Sequence, residues 1–374
     1  MKKITALLLA FTLITAMAMA GCSSQTAASS TVASTAPASV ASSGVAKVNG
    51  KAACILGVGG LGDQSFNDLV YEGMNKAKTE LGVDFDYAEP KQISDFELII
   101  RDMASSGKYK VILCVGFDQV DPLKKIAPEF PDQQFALIDG QVDAKNVVNY
   151  MSKEEEGSFL VGAMAGLMKK DAVANHLKSG NQLGFVGAME IPLIVKFAAG
   201  FQAGAKYVNP DAKVLIDYVS GSNPFSDTTT AKEIATSQFS KGADIIYHAA
   251  GGSGLGVFQA AKESGFYAIG CNSNQNTIDP DHIVASMLKR VDTAAYDVVK
   301  SAVIDNNLKV STTVLLGLSD EGVGYTLQKS NIKVSDDIIA KVEAIKADVV
   351  SGKLVVPQTN DDVAKFLKSN TYSK

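Results

Sequence analysis

The stretch Ala53–Asp68, ACILGVGGLGDQSFND, passes from an apolar run into G-x-G-x-x-G at Gly57, Gly59 and Gly62. Phe66, Leu69, Val70, Met74, Ala77 and Leu81 then follow at helical spacing. A buried strand, a glycine turn and an amphipathic helix make one β-α unit. The same outline is that of a dinucleotide-binding turn. That turn needs the helix to begin at the glycines, so that its free N–H groups meet a pyrophosphate. Here Asp63-Gln64-Ser65 intervenes, and the acidic residues about twenty positions on, Asp84 and Asp86, lie inside an alternating strand. The outline of a dinucleotide-binding turn is therefore incomplete here.

Outward from this unit the pattern repeats. VDFDYAE alternates like a strand, Asp95 to Ser105 has helical spacing, and KVILCVG and QFALIDG are apolar strands. After Tyr150 a second set begins, with strands at QLGFVGA, KVLIDYV, ADIIYHAA and YAIGCN and helices at Ile191–Val208, Thr228–Ser240 and Gly254–Ser264. Repeated β-α units predict parallel sheets covered by helices on both faces, and two sets predict two lobes. Each apolar strand ends in small or polar residues: GVGGLGDQ, GFDQ, IDGQ, AAGGSG, CNSNQ. In open parallel sheets, ligands bind beyond the carboxyl ends of the strands, so these clusters read as loops lining a cleft between the lobes. The competing reading is that they are ordinary turns. Gly251-Gly252-Ser253-Gly254 lacks the Gly-Lys-Ser/Thr of a phosphate loop.

The N-terminus has the layout of an export signal: Lys2 and Lys3, an uncharged and mostly apolar run from Ile4 to Ala20, then Gly21-Cys22. Met19-Ala20-Gly21-Cys22 is similar to a bacterial lipoprotein box, with Met19 in place of the more usual leucine, which makes Cys22 a lipidation site. The alternative is an ordinary signal cut near Ala20. Residues 1–21 are thus expected to be a lipoprotein signal peptide. Residues 22–46, rich in Ser, Ala and Thr, cannot bury a core and are expected to be a flexible tether. The charge of −5 over 374 residues includes no basic run of the kind that tracks nucleic acid. Cys54, Cys114 and Cys271 sit in apolar strands and make no disulfide framework. The three histidines, His176, His248 and His282, are scattered, which supports neither a zinc site nor a Ser–His relay.

Several segments in order carry a resemblance: GDQSFN from Gly62, then FALIDG, EEEGSFLVGAMAG, GFVGAMEIPLIVKFAAGF, GADIIYHAAGGSGLGVFQAAKESG, ASMLKRVDTAAY and LLGLSDEGVGY. Together they are similar to the basic membrane protein family of ABC-transporter substrate-binding lipoproteins, the PnrA-like purine nucleoside receptors, over Lys51 to Tyr325. The resemblance implies an α/β type I periplasmic-binding-protein fold, in which two doubly wound parallel-sheet lobes are joined by a three-segment hinge. It places the crossings near 150–152, 285–288 and 316–318. Residues 47–151 plus 286–316 then form the N-terminal lobe, and 152–285 plus 317–374 the C-terminal lobe. It further implies a lipid-anchored protein on the extracytoplasmic face of the cell membrane. That protein is monomeric and needs no cofactor or metal, and it delivers a small solute to a permease and its ATPase.

Members of the family sandwich a purine between aromatic rings, one from each lobe, and Phe66 and Phe197 match those positions; the bland alternative puts both in the core. Asp63 and Asn67 then face the cleft, and Gly252 brings backbone to it. Asp118 and Asp139 follow strand ends and resemble residues that edge the site, with helix capping or a turn as the competing role. The family usually has Gly-Val-Asp-Ser-Asp-Gln where this chain has Gly270-Cys271-Asn272-Ser273-Asn274-Gln275. Asn272 offers one carbonyl acceptor and an NH₂ donor in place of a carboxylate, which weakens or retunes the grip on ribose hydroxyls. Lys289 matches the family lysine near the sugar and is expected to have lost a carboxylate neighbour. The ligand is thus a purine nucleoside, a nucleobase or another small planar solute. The rivals are a ligand sensor for a membrane signalling partner and an exported oxidoreductase or nucleoside hydrolase.

Overall fold

The computed structural model describes residues 48–373. The expected signal peptide, the tether and Cys22 lie outside them. The first five strands are β1 (Lys51–Ile55), β2 (Asp84–Ala88), β3 (Val111–Val115), β4 (Gln134–Ile138) and β5 (Val147–Ser152). Between and after them come the helices α1 (Phe66–Leu81), α2 (Asp95–Ser105), α3 (Val120–Ile126) and α4 (Glu154–Lys170). A second series follows: β6 (Gln182–Gly187), α5 (Pro192–Val208), β7 (Lys213–Tyr218), α6 (Thr228–Ser240), β8 (Ile245–Ala249), α7 (Gly254–Ser264), β9 (Tyr267–Asn272) and β10 (Ile283–Lys289). The chain then returns through α8 (Val291–Val299), β11 (Thr312–Leu316), β12 (Val323–Thr326), α9 (Asp336–Val350) and α10 (Asn360–Ser369).

Two six-stranded sheets result, in the orders β11-β5-β4-β3-β1-β2 and β12-β10-β9-β8-β6-β7. The first is parallel throughout. The second is parallel except for β12, which runs antiparallel to β10; the chain enters it by a short reversal after β11, with no crossover helix between them. The interior strands are apolar without alternation, β3 being buried at all five positions. That is the composition required when helices cover both faces. One face of the first sheet packs Val70 and Met74 of α1 with Val291 and Val298 of α8; the other packs Phe96, Ile100, Leu123 and Ile126 of α2 and α3. The second sheet is covered by α4, α5, α9 and α10 on one side and by α6 and α7 on the other.

The chain passes between the sheets three times: after Ser152, after Lys289 and after Leu316. Residues 286–289, which the sequence reading placed with the first lobe, pair with β12 in the second sheet, and 286–288 also pair with β9. The crossing therefore falls at Arg290, and α8 packs against α1. Helices α4 and α5 touch backbone to backbone. A Cβ at Gly162 would lie 2.2 Å from the Phe201 carbonyl oxygen, and one at Gly204 2.0 Å from that of Phe159. The small residues of EEEGSFLVGAMAG and FAAGFQAGA are thus a packing seam, which fixes the second lobe's hinge-side helices.

Candidate functional site

The carboxyl ends of both sheets face one cavity of about 520 Å³, within the range of small-molecule sites. A larger hollow of about 770 Å³ lies by the amino end of β9, where Tyr267 and the Lys341–Asp337 pair line it. Parallel sheets recruit ligands at the opposite end of their strands, so the inter-lobe cavity is the candidate site. Asp63, Phe66, Asn67, Asp118 and Asp139 from the first lobe line it, with Phe197, Asn272 and Lys289 from the second. Gly252 is the exception. A Cβ there would stand 3.2 Å from the Phe225 carbonyl oxygen and 3.6 Å from Asp63 Cβ, so this glycine permits the lobes to approach, and its neighbour Gly251 lines the cavity.

The opening glycines shape a loop around α1. Gly60 and Gly62 adopt φ of +64° and +93°, in the region that favours glycine. The Asp63 carboxylate accepts from the backbone N–H groups of Ser65 (2.9 Å), Asn67 (2.9 Å) and Asp68 (3.2 Å). This is a helix cap, and it occupies the donors that a pyrophosphate would need. Burial holds the Asp63 carboxyl above its ordinary value, although those amides pull the other way. Asn67 is engaged too: its Oδ1 accepts from Gly57 N–H at 2.9 Å and its Nδ2 donates to Asp63 Oδ2 at 3.2 Å. Asp63 and Asn67 therefore border the cavity mainly as scaffold for Phe66, the first residue of α1.

Phe66 is half-buried at the margin of the first lobe's core, whereas Phe197 is 3% exposed and belongs to the second lobe's core as well as to the cavity wall. The ammonium of Lys289 lies 5.5 Å from the Phe66 ring centroid and 5.7 Å from that of Phe197, a distance at which a cation is attracted to an aromatic face. Lys289 is not short of carboxylates. Its Nζ donates to Asp139 Oδ2 at 2.5 Å and to Glu154 Oε1 at 2.8 Å. Lys196 Nζ reaches the other Glu154 oxygen at 3.3 Å. Burial by itself would lower the Lys289 pKa; the two carboxylates outweigh that and hold it above the usual lysine value. Asp139, at φ +63°, keeps its Oδ1 buried without a partner among the described residues. Asp118 is half-buried, and desolvation raises its carboxyl.

Sequence reasoning did not single out Glu154, Lys196 or the cavity-lining residues Phe117 and Phe225. The signal for the first was the run Glu154-Glu155-Glu156 where a helix opens, since three acids there complement the helix dipole. Each acid is used differently: Glu154 binds Lys289 and Lys196, Glu155 accepts from Gln358 Nε2 at 2.8 Å, and Glu156 accepts from Leu318 N–H at 2.8 Å. Phe117 and Phe225 both line the cavity, with ring centroids 6.1 Å apart, and Phe225 also packs against the second lobe's core. Among the described residues no His, Cys, Asp and Glu group is placed to hold a metal ion.

A family model described as ABC transporter substrate-binding protein PnrA-like matches residues 51–360. The chain belongs to this PnrA-like family. An uncharacterized lipoprotein of Pyrococcus abyssi is 36% identical, over 74% of this chain and 68% of its own length. A protein of Lactococcus lactis named ABC transporter nucleoside-binding protein BmpA is 29% identical over 96% of this chain and 99% of its own. Basic membrane protein A of Borreliella burgdorferi is 28% identical, over 82% and 87%. A crystal structure of an ABC transporter solute-binding protein from Aeropyrum pernix superposes with a TM-score of 0.75 at 29% identity, covering 86% of this chain and 98% of that one. The fold is that of the periplasmic-binding-protein type. PnrA-like proteins are substrate-binding proteins of ABC transporters, not enzymes; they capture small solutes and act with a permease and an ATPase.

Proposed function

We propose that this PnrA-like protein captures a purine nucleoside, or a nucleobase or related planar solute, between Phe66 and Phe197, and presents it to its permease from a lipid anchor at Cys22 outside the cell membrane. The observation that carries this reading is the pair of rings, one from each lobe, that line the same cavity and lie near the same buried ammonium. A flat base between them gains stacking worth about 1–3 kcal/mol. The orphaned Asp139 Oδ1 and the half-buried Asp118 offer acceptors to ring and exocyclic N–H groups at its edge. The naming of the Lactococcus relative as nucleoside-binding supports the same class.

Calorimetric titration with guanosine, adenosine, guanine, adenine, ribose and riboflavin tests the proposal. Guanosine or adenosine is expected to bind and to raise the unfolding temperature, since a ligand that binds only the native state stabilises it by mass action. Binding of ribose alone, with no response to any of the planar compounds, would remove the base-stacking reading.

A further inference from the structure

Residues 271–275 of the second lobe meet residues 64–65 of the first through four hydrogen bonds. Ser273 Oγ–H donates to the Gln64 carbonyl at 2.8 Å, and Gln275 Nε2–H donates to the same oxygen at 3.1 Å. Asn272 Nδ2–H donates to Ser65 Oγ at 2.9 Å, and Ser65 Oγ–H donates in return to the Cys271 carbonyl at 3.1 Å. Both sides carry non-glycine residues in the left-handed region, Gln64 at φ +49° and Asn272 at φ +70°. Such backbone persists where surrounding contacts over-determine it.

The chemistry at Asn272 is restrictive. A serine hydroxyl has one hydrogen, and at Ser65 the Cys271 carbonyl takes it, so the oxygen can only accept from residue 272. An amide can donate there; a carboxylate cannot, and would oppose lone pair to lone pair. Gln275 is held equally firmly. Its Oε1 accepts from Cys271 N–H at 2.7 Å and faces His248 Nε2 at 3.0 Å, which turns its NH₂ toward Gln64.

We propose that Asn272 and Ser65, flanked by Ser273 and Gln275, form an inter-lobe clasp that favours the closed cleft whether or not solute is present. Asn272 is thus a positioning residue whose amide nitrogen serves closure, and affinity and release depend on side chains that need not touch the solute. This builds on the cleft as the solute site but not on the identity of the solute.

Hydrogen–deuterium exchange of the intact protein, first without solute, tests the clasp. Asn272→Asp and Ser65→Ala are each expected to speed exchange in the segments 61–68 and 268–277 about tenfold, the change that follows from losing about 1.4 kcal/mol of hydrogen bonding. Exchange in β3 and β8, inside the two sheets, should be unchanged, which excludes general unfolding. The double variant should exchange no faster than Ser65→Ala alone, because that substitution already removes the bond to Asn272 along with the one to Cys271. Ser273→Ala, at a half-buried position, removes a different member and should give a smaller acceleration on both sides of the cleft. Acceleration confined to the substituted lobe in all of these variants would overturn the proposal. A second arm adds guanosine: if it protects nothing in any variant, the nucleoside reading fails while the clasp is still judged on the solute-free data.

Discussion

Lys289 and Asp139 face each other at 2.5 Å across the two lobes, the lysine at the end of β10 and the aspartate just beyond β4. Lys289 is 1% exposed and Glu154, its second partner, is fully buried. Together with Lys196 the four groups balance two positive charges against two negative ones, with the Lys289 ammonium near both aromatic rings. A buried pair adds little net stability when it forms, but removing one partner leaves an uncompensated charge. Lys289→Met is therefore expected to lower the unfolding free energy by about 3–5 kcal/mol. Asp139→Asn should cost less, because Glu154 still accepts from the ammonium. Urea unfolding followed by circular dichroism compares the two; equal losses would mean that Glu154 does not share the charge.

The two rings of the proposed sandwich differ in burial, and so should their variants. Phe66→Ala is expected to weaken guanosine binding by about 1–3 kcal/mol while leaving apo stability nearly intact. Phe197 also fills the second lobe's core, so Phe197→Ala should lose comparable affinity and about 3–5 kcal/mol of apo stability. Calorimetric binding measured beside apo unfolding separates the two effects. Unchanged affinity per folded molecule in both variants would return the rings to a purely structural role.

Much of this was legible in the sequence, for identifiable reasons. Continuous apolar strands such as VILCV, bounded by glycine and acid, specify buried parallel strands, and Asp95–Ser105 and Thr228–Ser240 read as helices to the residue. Strands β5, β10 and β11 were visible only as hinge crossings, and β12 was not read as a strand. VVNYMS and TTVLL carry polar or half-exposed positions where the sheet meets the hinge, so neither apolar continuity nor alternation marks them. Helix α4 is buried on nearly every side, which weakens the 3.6-residue signal. Asp63 and Asn67 could be placed at the cleft, but their hydrogen bonds to the start of α1 could not be read from spacing. The charge partners of Lys289 come from positions 150 and 135 residues away in the chain, and no local pattern encodes such a pairing.

Cys22 lies outside the described residues, and the proposed anchor rests on Met19-Ala20-Gly21-Cys22 and the relatives named as lipoproteins. Among the described residues no helix is long and apolar enough to cross a membrane. The wild type is expected to sediment with membranes, and Cys22→Ser should release the protein or leave residues 1–21 attached. One acyl chain holds a protein marginally, whereas two or more hold it firmly. Fractionation with N-terminal mass analysis decides the matter. A wild-type protein that is wholly soluble and begins at Ser23 or earlier, without lipid, would remove the anchor.

Glu155 provides a test by pH. Its side chain is 3% exposed, Oε1 accepts from Gln358, and Oε2 has no partner among the described residues. Burial pushes its pKa from 4.5 up to about 7, with Lys196 offsetting part of the shift and Glu154 adding to it. The folded protein therefore keeps this proton to about pH 7, whereas the unfolded chain releases it near 4.5. Between those values the native state binds more protons than the unfolded state, so stability falls as pH rises and levels off once both states are ionised. The whole loss is on the order of 3 kcal/mol at 1.36 kcal/mol per pKa unit. Glu155→Gln retains the acceptor for Gln358 and removes the titration. It is expected to match the wild type near pH 4.5 and to exceed it above pH 7 by up to that amount. Urea midpoints measured across this interval read the difference directly, and a wild-type slope that persists in the variant would assign the titration to another group.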